Sequence, residues 1–329
     1  MKAVTYSAFG AAGDVVKVVE LEAPVVGAGE VLVRVAFSGV NPSDVKSRAG
    51  TRPGVTKPAF DVIIPHSDGA GVIEAVGEGV SSARIGERVW IWNGQWQRAF
   101  GTGGEMIALP EAQAVALPEG VSLETGAVLG IPGLTAAHCV FANGDVAGKT
   151  ILISGGAGTV GYLAVQLAKW GGARVLATGS PRDFDRMRQA GADHVFDYRA
   201  ENLAQDILAA SGDAPIEHAV EVEFGLNVGL LAEVMAPEAY VAIYGSGGEM
   251  APTLPFGPLL FKALTLDIVL IYILNFEKRM EAIDRLHAAL RAGALSCPVE
   301  TVFEMQDAVR AHEAVEAGGR AGAVLIKMG

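Results

Sequence analysis

Apolar residues in the opening third of the chain come in short, β-branched runs bounded by glycine or proline. Ala3-Val4-Thr5-Tyr6, Val31-Leu32-Val33-Arg34-Val35, Val72-Ile73-Glu74-Ala75-Val76 and Gly86-Glu87-Arg88-Val89 set the style. Period-two runs with such punctuation predict an antiparallel, barrel-like region. After Pro118 the period changes. Helical spacing is expected around Leu123 to Leu129 and Thr135 to Phe141. Strands then follow at Thr150–Ser154, Arg174–Thr178, His194–Phe196, His218–Val222, Tyr240–Tyr244 and Leu264–Leu270, with helices near 158–170, 182–190, 200–210 and 225–235 between them. Six strands joined by crossovers predict an α/β fold, a doubly wound parallel sheet. A helix near 276–292 and a strand at Ala323–Lys327 are expected to pack back on the N-terminal region, giving one domain from 1–120 with 272–329 and another from 121–271. Ligands of open α/β sheets sit beyond the strand carboxyl ends, so the chemistry is expected at a cleft between the two domains.

The first of the six strands runs into Ser154-Gly155-Gly156-Ala157-Gly158-Thr159-Val160-Gly161. Gly156, Gly158 and Gly161 satisfy GxGxxG, and Val160, Leu163, Ala164, Leu167 and Ala168 continue at i, i+3, i+4 spacing. Strand, glycine turn and amphipathic helix together read as a dinucleotide pyrophosphate site. Glycine permits the tight turn and lets backbone N–H groups of Ala157, Thr159 and Val160 approach the pyrophosphate, where the helix N-terminus adds partial positive charge.

Composition narrows the partner class. The 329 residues are 50% hydrophobic and 19% charged, as in an ordinary globular protein, and Lys+Arg 25 against Asp+Glu 37 leaves a net charge of -12. That balance disfavours nucleic acid and anionic membrane and points to a small molecule. With only Cys139 and Cys297, neither a disulfide scaffold nor a four-cysteine zinc lobe can form. The cysteine usage, the lack of a signal-peptide pattern and the shortness of the apolar run Ile268 to Leu274 predict a cytoplasmic protein without a membrane span.

Several elements in order carry a family likeness: Gly29-Glu30-Val31-Leu32-Val33-Arg34-Val35, Gly39-Val40-Asn41-Pro42-Ser43-Asp44, Gly69-Ala70-Gly71-Val72-Ile73, Gly133-Leu134-Thr135-Ala136-Ala137 and Gly191-Ala192-Asp193-His194-Val195. With the glycine turn, they make the whole chain resemble the medium-chain dehydrogenase/reductase superfamily, and within it the zinc-free quinone oxidoreductase, or zeta-crystallin-like, branch. The resemblance implies a GroES-like β-barrel catalytic domain beside a Rossmann domain, and a homodimer in which Leu264–Leu270 pairs across a two-fold axis. Zinc-dependent members carry Cys at the position of Asn41 and a Gly-His-Glu element matching His66-Ser67-Asp68; here the ligand positions hold Asn and Ser. His66, one place early, reads as a cleft-rim or turn residue, and no metal is expected.

Without a metal to polarise an alcohol, the simplest chemistry is hydride delivery to an acceptor that is already electrophilic, a quinone or an enone. The resemblance implies that Asn41 lies beside nicotinamide and acceptor with Thr135 close by, although Asn before Pro42 is also an ordinary turn residue. Relatives often place Tyr where Lys46 stands, so a cation replaces an aromatic wall. Trp90, Trp92 and Trp96 supply either aromatic surface or core packing. The tip of the second sheet strand, Gly179-Ser180-Pro181-Arg182, lacks the carboxylate that binds an NAD ribose, and Ser180 with Arg182 suits the 2′-phosphate of NADP(H). Arg182 is otherwise a solvated first-turn residue, and Asp183 takes the place of a Lys in relatives. Tyr198 and Arg320 match residues that relatives use near the cofactor. A noncatalytic zeta-crystallin-like role, including RNA binding, is the reading from a different class; the charge of -12 and the lack of a basic tract oppose it.

Overall fold

The computed structural model describes residues 1–51 and 54–329. It resolves into two compact units, Met1–Ile131 with Cys297–Gly329, and Pro132–Ser296.

The first unit is organised on one long strand, Glu30–Val40. Asp68–Val76 pairs antiparallel along one edge; Met106–Pro110 and then Ala323–Lys327 share the other. Arg88–Ile91 and Ala114–Ala116 extend the sheet beyond Asp68–Val76, and Val299–Glu304 adds a parallel partner to Ala323–Lys327. Alternation along the central strand sends Val31, Val33 and Val35 into a core with Ile73, Val89, Ile107, Leu109 and Ile326, which the helix Ala308–Ala317 covers with Ala308, Ala311 and Val315. The alternation then stops. Ser38, Gly39 and Val40 are all buried, and at Gly39 a Cβ would lie 2.5 Å from the Ala127 carbonyl oxygen. Trp90 belongs to the strand Arg88–Ile91 and is fully buried, so it is core and not part of an aromatic loop surface.

In the second unit all six expected strands form, in the order His194–Asp197, Arg174–Gly179, Thr150–Ile153, Ile216–Glu221, Tyr240–Ile243, Thr265–Ile268, every pair parallel. The order reverses between Thr150–Ile153 and Ile216–Glu221, which is where a doubly wound sheet opens its ligand crevice.

Three expectations are corrected. The boundaries fall at 131/132 and 296/297 and not at 120/121 and 271/272. The helix Phe276–Arg291 therefore belongs to the sheet unit: Ala282, Ile283, Leu286 and Ala289 give it a buried stripe, and it packs on the helix Leu134–Phe141. Gln166 fixes the exit of this region, its Nε2 donating to the Ser296 carbonyl and its Oε1 accepting from the Ser296 N–H, both at 2.9 Å. The chain from Cys297 onward, with the strand Ala323–Lys327, returns to the first unit as expected. The helix expected from Leu123 to Leu129 is a single turn, Leu123–Gly126, followed by a π-helical turn over Leu129–Gly133. Pro132 has no N–H to give, and the Ile131 N–H goes to the Asp68 carboxylate at 2.7 Å, so the ordinary ladder cannot continue.

Candidate active site

The glycine turn of the second unit is built by sterics. Gly155 has φ +64°, a left-handed conformation that favours glycine, and the sequence pattern alone does not single it out. A Cβ on Gly161 would lie 2.1 Å from the Gly155 carbonyl oxygen, so the helix can approach its own entry turn only with glycine there. Gly158 differs: a Cβ would meet only the Gly155 oxygen at 3.4 Å, and the residue is exposed. It is extended, φ -68° and ψ 164°, and offers no side-chain cap to the twelve-residue helix Thr159–Trp170. The first-turn N–H groups are thus left for an anion, as a pyrophosphate needs. Arg186 buttresses the turn from the next helix; its Nε donates to the Ala157 carbonyl at 3.1 Å and its guanidinium lies 4.2 Å from the Tyr162 ring centroid. One terminal nitrogen of Arg186 is buried without a hydrogen-bond partner, an orphan donor beside the cradle.

At the tips of the two neighbouring strands, Asp197 pairs with Gly179, so Ser180 and Tyr198 emerge side by side, and the Tyr198 N–H donates to the Gly179 carbonyl at 3.3 Å. Arg199, absent from the sequence reading, sets its guanidinium 4.7 Å from the Tyr198 ring centroid. Arg182 is 66% exposed and lies 3.4 Å from the Asp183 carboxylate, which holds it loosely and offsets its charge. No carboxylate side chain takes the Ser180 position. The residues present fit a phosphorylated dinucleotide. Arg320, in the first unit, has a buried Nε without a partner; burial lowers its pKa and Glu300 opposes the shift.

Sequence reasoning also missed Glu221, buried at the carboxyl end of its strand where the sheet order reverses. One of its oxygens accepts from Ser154 Oγ and Asn227 Nδ2, each at 2.9 Å, and from the Glu223 N–H. Burial raises its pKa and these three bonds pull it back. Thr135 is buried in the helix Leu134–Phe141.

In the first unit Asn41 precedes the helix Pro42–Ala49 and is 7% exposed. Its N–H donates to Asp44 Oδ2 at 2.8 Å, and its side-chain Nδ2 donates to Asp68 Oδ2 at 2.7 Å. Both Asp68 oxygens are therefore acceptors, the other taken by Ile131. Burial and the neighbouring Asp44 push the Asp68 carboxyl well up, while Asn41 and Ile131 oppose this. Lys46 sits on the exposed side of the same helix, apart from the buried Asn41.

His66 is neither a rim residue nor a ligand. It is fully buried with φ +78°, the conformation that explains glycine at this position in zinc-dependent relatives. Thr102 Oγ1 donates to the Asp68 carbonyl at 2.5 Å, so it must accept from Ser38 Oγ at 2.9 Å. Ser38 in turn accepts from His66 Nδ1 at 2.9 Å, and His66 Nε2 accepts from His312 Nε2 at 3.0 Å. Both imidazoles are neutral in this chain of bonds. Burial lowers both, His66 well below its usual value, with the neighbouring His312 adding to it, and His312 to about 4, with the Arg48 guanidinium adding to it. A zinc ion does not fit: Asn41 and Ser67 stand at the ligand positions, both nitrogens of His66 are committed, and no cluster of three His, Cys, Asp or Glu side chains with metal-binding proximity occurs among the described residues. Cys139 and Cys297 are buried thiols, held in the unreactive neutral form by burial, Cys297 up to about 12.

The chain matches the alcohol dehydrogenase GroES-like domain over residues 27–147 and the zinc-binding dehydrogenase domain over residues 159–288. Quinone oxidoreductase of Sus scrofa is 31% identical over 288 residues, covering 86% of this chain and 84% of that one. Among solved structures, an NAD-dependent alcohol dehydrogenase superposes with TM-score 0.88 at 26% identity, covering 100% of each chain. A mycobacterial protein complexed with NADPH gives TM-score 0.85 at 25% identity, covering 99% of this chain and 100% of that one. The chain belongs to the quinone oxidoreductase branch of the medium-chain dehydrogenase/reductase superfamily, a GroES-like domain joined to a Rossmann domain. It is accordingly an oxidoreductase.

Proposed function

We propose that this protein is an NADPH-dependent reductase that transfers hydride to a quinone without a metal. The observation that carries the reading is the replacement of a ligand set by a hydrogen-bonded pair, Asn41 on Asp68, at the position where zinc-dependent relatives hold their ion. With no group to polarise an alcohol, the acceptor must be electrophilic on its own. NADPH, when bound, supplies the hydride from its nicotinamide. The backbone of Gly156, Ala157, Gly158, Thr159, Val160 and Gly161 holds the pyrophosphate; Ser180, Arg182 and Tyr198 read the adenosine phosphate, and Arg320 contributes a further cationic contact. Asn41 and Thr135 are the residues assigned to orient the reacting groups, so positioning supplies the rate. Lys46, exposed on its helix, supplies a cation on the acceptor side of the site.

The NADPH carried by the mycobacterial structure supports the cofactor, as does the carboxylate-free tip at Ser180. An enone reductase on the same scaffold is the second reading, favoured by the same Asn41 geometry, since both reactions share one hydride trajectory. A panel of quinones, enones and primary alcohols with NADPH, NADH and their oxidised forms tests the assignment. Quinone turnover with NADPH supports it, and turnover confined to enones or alcohols overturns it.

We further propose a homodimer built on the strand Thr265–Ile268, which among the described residues pairs within the chain along one edge only. Phe261 is 89% and Ile268 80% exposed, and Phe256 and Ile273 extend the same apolar surface. Open apolar edges are normally covered. Among the described residues no helix is long and apolar enough to cross a membrane. Light scattering at the mass of one chain across micromolar concentrations would contradict the dimer.

A further inference from the structure

The buried line of hydrogen bonds that ends on the Asp68 main chain runs in one direction, because a carbonyl anchors it. The Asp68 carbonyl can only accept, so Thr102 gives it its single hydroxyl proton, at 2.5 Å. Ser38 must then donate to Thr102, and His66 must donate to Ser38 through Nδ1. The His66 Nε2, unprotonated in a neutral ring, accepts from His312 Nε2 at 3.0 Å. This assigns the last ring as well: His312 carries its proton on Nε2 and a lone pair on Nδ1. That Nδ1 belongs to a fully buried residue and has no hydrogen-bond partner among the described residues.

A donor with the matching defect lies beside it. Arg48 is fully buried, and its Nε–H is likewise without a partner among the described residues. Its two terminal nitrogens donate to the Gly10 carbonyl and to the Glu316 carboxylate. Glu316 follows His312 by one turn of the helix Ala308–Ala317, so the two side chains share a face, and Arg48 meets that face. The Arg48 charge is close enough to help hold His312 neutral. An unpaired acceptor and an unpaired donor are thus neighbours in the interior, where each carries its full desolvation cost. Arg48 is pinned at both terminal nitrogens and His312 at Nε2, so neither can swing to the other without giving up a bond it has.

We propose that Arg48 Nε and His312 Nδ1 hold a buried water molecule between them, which accepts from the guanidinium and donates to the imidazole. The chemistry of the pair selects this occupant. A cation would face the guanidinium and an anion would face the imidazole lone pair, so both are repelled. A small neutral molecule that both donates and accepts suits the two atoms together. The water completes one line of donors, from Arg48 through water, His312, His66, Ser38 and Thr102 to the Asp68 carbonyl. It thereby ties the helices Pro42–Ala49 and Ala308–Ala317 to the first residue of the strand Asp68–Val76. All of these residues belong to the first unit, and the site is independent of which acceptor the protein reduces.

Two measurements on the full chain test this: long-range proton–nitrogen spectra of the imidazoles near neutral pH, and a crystal structure fine enough to show ordered waters. The spectra should show His66 with its proton on Nδ1 and His312 with its proton on Nε2. The His312 Nδ1 signal should lie upfield of a bare imidazole nitrogen, because the water donates to it. The crystal should show one water within hydrogen-bonding distance of both Arg48 Nε and His312 Nδ1. The opposite tautomer at His312, a direct bond from Arg48 Nε to His312 Nδ1, or no water between them would overturn the proposal. Arg48→Met removes the donor and keeps a stem of similar length. A buried water left with one partner is not held, so the His312 Nδ1 signal should move to the bare position while the His66 tautomer stays as in wild type. An unmoved signal would take Arg48 out of the site and overturn the proposal. If Arg48→Met does not fold, the wild-type spectra and the crystal decide by themselves.

Discussion

The glycine turn of the sheet unit and the Asn41 network of the barrel unit do related work with opposite materials. The turn is main chain. Its ligands are N–H groups that every residue owns, and its specification consists of places where a side chain is excluded: 2.1 Å of clearance at Gly161 and φ +64° at Gly155. The Asn41 network is side chain throughout, drawn from residues as far apart as Ser38, Asp68, Thr102 and His312, and its specification consists of donors matched to acceptors. A site written in backbone tolerates no Cβ; a site written in side chains tolerates no unpaired partner.

Glycine replacement should separate the two most sharply. Gly161→Ala drives a Cβ into a backbone carbonyl that cannot yield, so it should destabilise the protein by about 3 kcal/mol and abolish NADPH binding. Gly158→Ala, with a 3.4 Å contact, should keep the melting temperature near wild type and weaken NADPH alone. Calorimetry beside fluorescence titration distinguishes them, and two variants that melt alike would break the steric account.

Acid should attack both units. His312 in the barrel unit and His218 in the sheet unit, whose Nε2 donates to the Cys139 carbonyl at 2.7 Å, are both held neutral near a pKa of about 4, chiefly by burial. The unfolded chain takes up these protons first, near pH 6.5, so stability present above that pH is lost as the pH falls toward 4. Between pH 7 and 5 each imidazole should cost about 2 kcal/mol, and His66 acts in the same direction. Asp68 and Glu221 oppose the trend; raised by burial, they bind protons in the native state before the unfolded state does, so their contribution grows on acidification. Denaturant titrations of wild type and His312→Gln at the two pH values check this, and the same pH dependence in both would contradict a buried neutral imidazole at His312.

The same contrast explains what the sequence disclosed. All six sheet strands, the glycine turn and the helix behind it were legible because each is a local pattern: a β-branched run, a spacing of glycines, a period near 3.6. Ser180 and Tyr198 emerge side by side from neighbouring strand tips because parallel register brings Gly179 beside Asp197, and the reading of a carboxylate-free tip needed only the end of the strand Arg174–Gly179. Asp68, Ser38, Thr102 and His312 were not legible. Nothing in a single chain announces which polar residues will meet across 27 to 246 positions. His66 was misplaced at a rim for the same reason, and Arg186 and Glu221 were missed because their partners Ala157 and Ser154 lie on neighbouring elements. The helix Phe276–Arg291 was assigned to the wrong unit because an amphipathic stripe says that a face is buried and not against what.

A smaller effect is expected at the strand tip. Arg182→Ala should raise the NADPH Kd by about tenfold and leave NADH unchanged, a modest loss because the side chain is 66% exposed and shares its charge with Asp183. Asp183→Lys should move selectivity the other way. Arg199→Ala should weaken NADPH by a comparable factor if Tyr198 and Arg199 act as one stacked surface. Ratios of kcat/KM for the two cofactors report all three, and a parallel loss with NADH would remove phosphate recognition from this tip.

The central claim, hydride transfer from NADPH to a quinone by a site in which Asn41 and Asp68 stand in place of a metal-ligand set, meets its most direct test in one assay. NADPH oxidation is followed with a benzoquinone before and after exhaustive treatment with a zinc chelator, beside alcohol oxidation with NADP⁺. The account predicts quinone-dependent turnover that the chelator leaves unchanged and no oxidation of the alcohol. Turnover that disappears with the chelator and returns with zinc, or alcohol oxidation in place of quinone reduction, would contradict it.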